Sequence, residues 1–288
     1  MPSLKDIKRR IHSVESTMQI TKAMELVASS KFRRAKERAE ACRPFFEQTY
    51  KLMAEIAAED PYFNSQFVHK RIDNGSALLI VIAGDRGLAG GFNNNVLRLA
   101  QARIDELTQK GETPIIMPIG QKAADYFEYR DAKILKSYDH VAEHASIYLG
   151  IQMAELILNT YKRHTSLQSV EIVFTNYVSP LQQVAQRMEI IPLTGLAGSH
   201  PRNCVVEYEP SAEVVFDKLV PQYVAGLLYG AIVESFASEQ AARRTAMENA
   251  TDNATEMIDK LSLQYNRARQ SAITQELTEI VGGANALE

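Results

Sequence analysis

The chain has 288 residues, 45% hydrophobic and 23% charged, enough apolar material for a sizeable core, which excludes a disordered chain. Its longest uninterrupted apolar run, Ala77 to Ala83, is far shorter than the ~20 residues that cross a bilayer as a helix, so no spanning segment is expected. The formal net charge of −3 argues against a generic nucleic-acid binder, but it conceals a gradient: residues 1–40 carry ten Lys/Arg against five Asp/Glu, and residues 211–288 carry six against eleven.

The N-terminus is basic but has no apolar region behind it, so it is not expected to be a signal peptide. No Gly precedes Gly75, and no Pro falls between Pro2 and Pro44, so nothing there breaks a helix. Ser3 is a candidate N-cap. Leu4, Ile7, Ile11, Val14 and Met18 follow at alternating spacings of three and four, the pattern of a coiled-coil seam. The apolar pattern then slips to Ile20, Met24 and Val27, as a stutter would produce. Pro44 is expected to kink the helix without ending it, because periodicity resumes at Leu52, Ile56 and Ala57.

The middle of the chain has another texture. Ala77 to Ala83 is a buried-strand run followed by a Gly-rich turn and a helix from about Asn93 to Gln109. Pro114 to Ile119 is a second strand, Gln121 to Tyr129 a helix, Asp139 to Tyr161 a longer helix, and Val170 to Asn176 a third strand. This βαβα alternation predicts a small parallel sheet covered by helices, closed by a strand pair around Val184 to Leu193 and Val205 to Tyr208. From Gln222, after Pro221, a helical pattern runs to about Ala286. Its registers are Met247, Ala250, Ala254, Met257; Ile258, Leu261, Tyr265, Ala268, Ala272; and Ile273, Leu277, Ile280, Ala284, each one residue out of step with the last.

Lengths then constrain the architecture. Some 65 helical residues make a rod of about 97 Å, whereas a compact domain of about 134 residues is roughly 36 Å across. The fold class expected is therefore α/β, with a long antiparallel coiled coil of the N- and C-terminal helices (1–58 and 210–288) plus a central Rossmann-like α/β domain (75–209). Opposite charges favour the helix pairing modestly. The C-terminal helix outruns its partner, and Ile273, Leu277, Ile280, Val281 and Leu287 are left without an intrachain surface, which calls for an enclosing partner.

Three motifs invite chemistry. The turn Gly84-Asp85-Arg86-Gly87-Leu88-Ala89-Gly90-Gly91-Phe92-Asn93 follows a strand and opens a helix, but has Arg86 where a dinucleotide fingerprint needs Gly and lacks the Gly-Lys-Ser/Thr of a P-loop. A structural turn presenting Asp85 and Arg86 is the better reading. His140-Val141-Ala142-Glu143-His144 matches the H-x-x-E-H pattern of inverted zinc peptidases, but no third ligand is placed near it. The basic run Lys31 to Arg38 suits a helix face meeting an acidic partner as well as it suits nucleic acid. Cys42 and Cys204 match neither a zinc nor a redox spacing. No cofactor, metal site or catalytic set is expected.

Three segments together carry a likeness: KRRIHSVESTMQITKAMELVASSKFRRA (Lys8 to Ala35), GDRGLAGGFN, and SLQYNRARQSAITQELTEIVGGA (Ser262 to Ala284). They resemble the gamma subunit of F-type rotary ATP synthases, in the family's order and over essentially the whole chain. Ala89 stands where many members have Cys or another small residue. The chain lacks the cysteine-bearing insertion of chloroplast members and a transit peptide, so a bacterial type without thiol regulation is expected.

The resemblance implies a central-stalk rotor that is itself non-catalytic. It would couple proton-driven c-ring rotation to conformational changes at the beta-subunit sites, with a role in regulating ATPase activity and proton flow. The implied partners are three alpha and three beta subunits, the epsilon subunit and the membrane c-ring, with no nucleic acid. The implied location is the cytoplasmic face of the bacterial membrane, as a peripheral component of the complex. By residue, Leu277, Ile280 and Val281 would sit in the apolar sleeve of the alpha/beta ring, and Arg269, Gln270 and Thr274 would bond a beta loop. Lys22, Met24 and Arg243 would face acidic beta loops at the neck, where a cation added at Met24 would create an unwanted attraction. Glu207, Tyr208 and Glu209 would lie near the c-ring loops, and Asp85 and Arg86 would make contacts on the foot and epsilon side. The alternatives are a small-ligand enzyme using the α/β domain, which predicts activity of the isolated chain, and, more distantly, a nucleic-acid-binding coiled coil.

Overall fold

A computed structural model describes residues 3–59, 63, 65–69, 75–193 and 206–285. In chain order the elements are α1 (Leu4–Glu59), β1 (Ser76–Ile82), α2 (Phe92–Gln109), β2 (Ile115–Ile119), α3 (Gln121–Glu128), α4 (Ile147–Arg163), β3 (Leu167–Ser179), β4 (Gln182–Ile191) and α5 (Ala212–Asn285). The chain divides into two compact units, Met1–Ala28 with Arg244–Glu288, and Ser29–Arg243.

In the first unit α1 and α5 run antiparallel. The Thr21 and Thr251 hydroxyls lie 2.8 Å apart, and Thr255 reaches back to Met18 Sδ at 3.5 Å. The seam on α1 keeps its three-four spacing past Met18, through Thr21, the Met24–Glu25 pair and Ala28. The expected stutter does not occur: Ile20 is 61% and Val27 56% exposed. The seam continues with one polar and one small residue, Thr21 and Ala28, both buried. On α5 it runs through Met247, Thr251, Ala254, Ile258, Leu261, Tyr265, Ala268 and Ala272, a continuous heptad, while Met257 faces outward.

Charge complementarity is not what joins these helices. Among the described residues of this unit every ion pair lies within one helix: Asp6–Arg9, His12–Glu15, Lys22–Glu25 and Glu256–Lys260. Packing of the seam does the work. Counting from the Thr21–Thr251 pair, Leu4 lies level with Ala268, and about 17 residues of α5 extend past it, roughly 25 Å of helix. Ile273, Leu277, Ile280 and Val281 are exposed there; Leu287 lies outside the described residues.

The second unit is a three-layer α/β sandwich. Its sheet has the order β2-β1-β3-β4, with β1 parallel to both neighbours and β4 antiparallel to β3. The expected small parallel sheet is formed by β2, β1 and β3, and it carries an antiparallel edge because β3 and β4 form a hairpin. Every residue of β1 is buried, since both faces are covered: Leu78, Ile80 and Ile82 point into a core with α4, the end of α1 and the first part of α5. Ala77, Leu79 and Val81 point into a second core with α2 and α3. That is why the sequence reads as an unbroken apolar run. Within α5 one stretch is apolar enough by composition to cross a membrane, but 56% of it is buried inside this fold.

Three further expectations need correction. The helix expected from Asp139 begins at Ile147, capped by the Ser146 hydroxyl, which accepts from the Leu149 N–H at 3.3 Å. Residues 139–146 are irregular, with His140 at φ 54°, so the two histidines of H-x-x-E-H do not share a helix face. α5 begins at Ala212, ten residues earlier than expected, and passes through Pro221 without ending; Ser211 caps it, and Phe216, packed edge-on against Phe63, anchors its first turn in the core. The partner of the expected last strand pair is absent from residues 206–208, which are irregular, and Val205 lies outside the described residues.

Candidate functional site

Progress along the sheet reverses between β1 and β3, and in open α/β sheets ligands bind outside the carboxyl ends of the strands at such a point. Here the Gly-rich turn leaves β1, and Thr175 stands where β3 runs beyond its last β1 partner, Val173. That position is occupied by α5. The Ser235 hydroxyl accepts from the Thr175 N–H at 3.0 Å, and the Ser238 hydroxyl donates to the Thr175 carbonyl at 3.2 Å, so α5 satisfies backbone groups that β1 no longer reaches. One turn back, Glu234 accepts from the Tyr177 backbone, and burial pushes its carboxyl up.

Glu239 completes the filling. It is 5% exposed, and Arg243 binds it at 2.6 Å while also donating to the Gly87 carbonyl at 3.1 Å. Burial pushes the Glu239 carboxyl above its ordinary 4.5, Arg243 opposes the rise, and neighbouring Asp85 adds to it. A Cβ on Gly84 would fall 2.8 Å from Glu239 Oε1, so the glycine leaves the Glu239 carboxylate the room it occupies against the strand end. The Gly84 N–H is committed to Asn93 Oδ1 at 2.8 Å. With that amide spent and a buried carboxylate beside it, the turn cannot cradle a phosphate.

Asp85 is an internal anchor. Its Oδ1 accepts from the Gln121 N–H at 3.0 Å and the His140 N–H at 2.9 Å, tying the turn to the start of α3 and to the segment before α4. The second bond is what holds His140 in its left-handed conformation. Arg86 is exposed, and its carbonyl accepts from Asn93 Nδ2 at 3.1 Å. Two residues on, Leu88 has φ 62° and is exposed, a costly backbone state for a bulky residue. Glu143, the acidic residue of the H-x-x-E-H match, pairs with Lys31 at 2.7 Å, and its carbonyl accepts from Arg38 at 3.1 Å. Among the described residues no three His, Cys, Asp or Glu side chains converge as a metal site.

The remaining candidates separate by unit. On α5 Arg269, Gln270, Thr274, Leu277, Ile280 and Val281 are all exposed, and the Thr274 hydroxyl is turned back onto the Gln270 carbonyl at 2.9 Å. On α1 Lys22 is exposed and pairs with Glu25 at 3.0 Å, and Met24 is half-buried. Arg243, expected to face a partner, is instead buried against Glu239 because the Gly87 carbonyl and that carboxylate both draw it inward. Glu207 and Glu209 are exposed, while Tyr208 packs half-buried on the core. Sequence reasoning missed Ser235, Ser238 and Glu239. Their signal was a polar i, i+3, i+4 set in a helical stretch that also carries Ile232, Val233, Phe236 and Ala237.

Comparisons with known proteins agree on a family. A family model described as ATP synthase matches residues 3–287. An ATP synthase gamma chain from Ruminococcus albus is 54% identical over 280 residues, 97% of each chain. The sodium ion specific ATP synthase gamma chain of Acetobacterium woodii is 40% identical over 304 residues, 99% of each. The same fold occurs in a chain of the Euglena gracilis mitochondrial ATP synthase, in an OSCP/F1/c-ring structure, at TM-score 0.70 and 20% identity, covering 99% of this chain and 94% of that one. By the matched model and by identity along the full chain, it belongs to the ATP synthase gamma chain family.

Proposed function

We propose that the chain is the central-stalk rotor of an F-type ATP synthase, itself non-catalytic, and that it couples ion-driven rotation of a c-ring to the conformations of beta-subunit catalytic sites. Three alpha and three beta subunits, an epsilon subunit and the c-ring are its partners, and its place is the cytoplasmic face of the membrane, held there through the complex. The shaft of this reading is residues 1–58 with 210–288, and its foot residues 75–209. The observation that carries it is the end of α5: a single helix extending past the level of Leu4 with Ile273, Leu277, Ile280 and Val281 exposed. An exposed apolar strip of this kind marks a surface that a partner covers.

Within the reading, Leu277, Ile280 and Val281 slide in an apolar sleeve, Arg269, Gln270 and Thr274 bond a beta loop, and Lys22 and Met24 face acidic loops. Glu207, Tyr208 and Glu209 approach the c-ring, and Asp85 and Arg86 belong to the foot. A rod whose faces differ presents each beta subunit with a different surface as it turns, which biases each catalytic site in sequence. A ligand-binding role for the α/β unit finds no support in a crevice filled by Ser235, Ser238 and Glu239.

Purification from the native host without stripping partners tests the proposal: alpha, beta and epsilon subunits should co-purify. Recovery as a lone monomer with catalytic turnover would overturn it. Deleting Ile273 to Glu288 should weaken assembly or torque while the α/β unit stays folded.

A further inference from the structure

The filled crevice belongs to a larger polar circuit. α5 is held to the carboxyl edge of the sheet by Ser235, Ser238, Glu239 and Arg243, all of them buried. Residues 235, 238 and 239 lie on one face, and Arg243 follows one turn later. The Gly-rich turn they grip is joined through Asp85 to His140. The segment beginning at His140 carries Glu143, which holds Lys31 and Arg38 of α1. One set of loops at one edge of the sheet therefore grasps both long helices.

Apolar packing alone would not fix the rotation of α5 on the sheet, because it is non-directional. Hydrogen bonds do fix it. Ser235 and Ser238 engage the N–H and the carbonyl of the same residue, Thr175, at 3.0 Å and 3.2 Å. A shift of one residue turns a helix by about 100° and lifts it about 1.5 Å, which breaks both bonds and unpairs the Glu239–Arg243–Gly87 set.

We infer that this circuit is a collar that locks the α/β unit rotationally to α1 and α5, with Glu239 as its central positioning residue, so that torque applied to the unit reaches the helices without slip. The inference rests on the rotor reading. Neither Ser235, Ser238 nor Glu239 touches a reacting group, so the collar acts on transmission and not on ATP chemistry.

The test uses the assembled synthase in membrane vesicles carrying Glu239→Gln, or the double variant Ser235→Ala/Ser238→Ala, and measures ATP hydrolysis and ATP-driven ion pumping per assembled complex. Hydrolysis is expected to stay within about twofold of wild type while pumping against a gradient falls about five- to tenfold, so that the ratio of pumping to hydrolysis drops. A purely structural role would lower the amount of complex and leave that ratio unchanged. Both variants assembled with a wild-type ratio would overturn the collar. If Glu239→Gln does not assemble, the serine variant decides by the same ratio, and failure of both to assemble would reduce these residues to folding and overturn the inference. A wild-type complex that hydrolyses ATP without pumping would instead sink the rotor reading itself.

Discussion

Arg103 of α2 and Glu171 of β3 meet in a bidentate pair, Nη2 at 2.6 Å from Oε1 and Nε at 3.1 Å from Oε2. Glu171 is 4% exposed and also accepts from Ser169 at 2.9 Å, while Arg187 stands 3.6 Å away. Removing one partner of a buried pair strands the other charge, at a cost of about 3–5 kcal/mol. Arg103 also holds Glu106 at 3.0 Å and so keeps one partner, which puts the loss expected in Glu171→Ala at the low end of that range, about 3 kcal/mol, in urea denaturation. Replacing Arg103 and Glu171 together with Met should recover most of it, and a double variant as unstable as the single would contradict the assignment of the cost to a stranded charge.

Glycines in the same unit should respond very differently to alanine. A Cβ on Gly150 of α4 would lie 2.6 Å from the Ala225 carbonyl oxygen, a backbone atom that cannot step aside, whereas one on Gly87 meets nothing within 4 Å. Alanine gains about 1 kcal/mol in a helix, but overpacking costs about 1–3 kcal/mol or more. Gly150→Ala should destabilise on balance, and Gly87→Ala should fall within about 0.5 kcal/mol of wild type. Gly226 abuts the Phe46 ring, so the loss in Gly226→Ala should be partly restored by adding Phe46→Leu. Thermal unfolding of the four variants distinguishes these outcomes.

The hydroxyls of Thr21 and Thr251 each also lie within 3.0 Å of a carbonyl of their own helix, so neither loses every partner when the other is removed. Each single change to Val should cost less than about 1 kcal/mol, and the double change should be close to neutral. Circular dichroism melts of the three variants check this; a double variant several kcal/mol less stable would mean the pair holds the helices together rather than merely aligning them.

Acid should loosen the hold on α1. The hydrogen bond from Lys31, with the charges of Lys31, His144 and Arg86, keeps the Glu143 carboxyl below its ordinary value of 4.5 against the opposing effect of burial. A depressed folded value means that the contribution is present above 4.5 and disappears as pH falls through the lower folded value. The pair is half exposed, so it is worth at most about 1 kcal/mol. The urea midpoint from roughly pH 6 to roughly pH 3 should fall more steeply for wild type than for Lys31→Met; parallel curves would assign the acid sensitivity elsewhere.

Legibility in the sequence followed the range of the interactions. The long helices were readable because Gly and Pro are absent from α1 before Pro44, and the strands because a sheet covered on both faces needs apolar residues at every position, as in β1. The seam was misread at Thr21 and Ala28, since counting large apolar residues cannot see a threonine pair or a close approach at alanine. The start of α4 was misplaced because the His140 segment is shaped by Asp85, 55 positions away. Ser235, Ser238 and Glu239 were passed over in the sequence, and only the end of β1–β3 pairing at Val173 reveals what they bond. Nothing local encodes that.

The occupied crevice also changes what kind of α/β domain this is. Its ligand is a stretch of its own chain, so filling the crevice is a unimolecular event with no dissociation constant and no dependence on concentration. Such a domain cannot be emptied by dilution. A scaffold that elsewhere captures and releases small molecules serves here as a permanent socket for a helix.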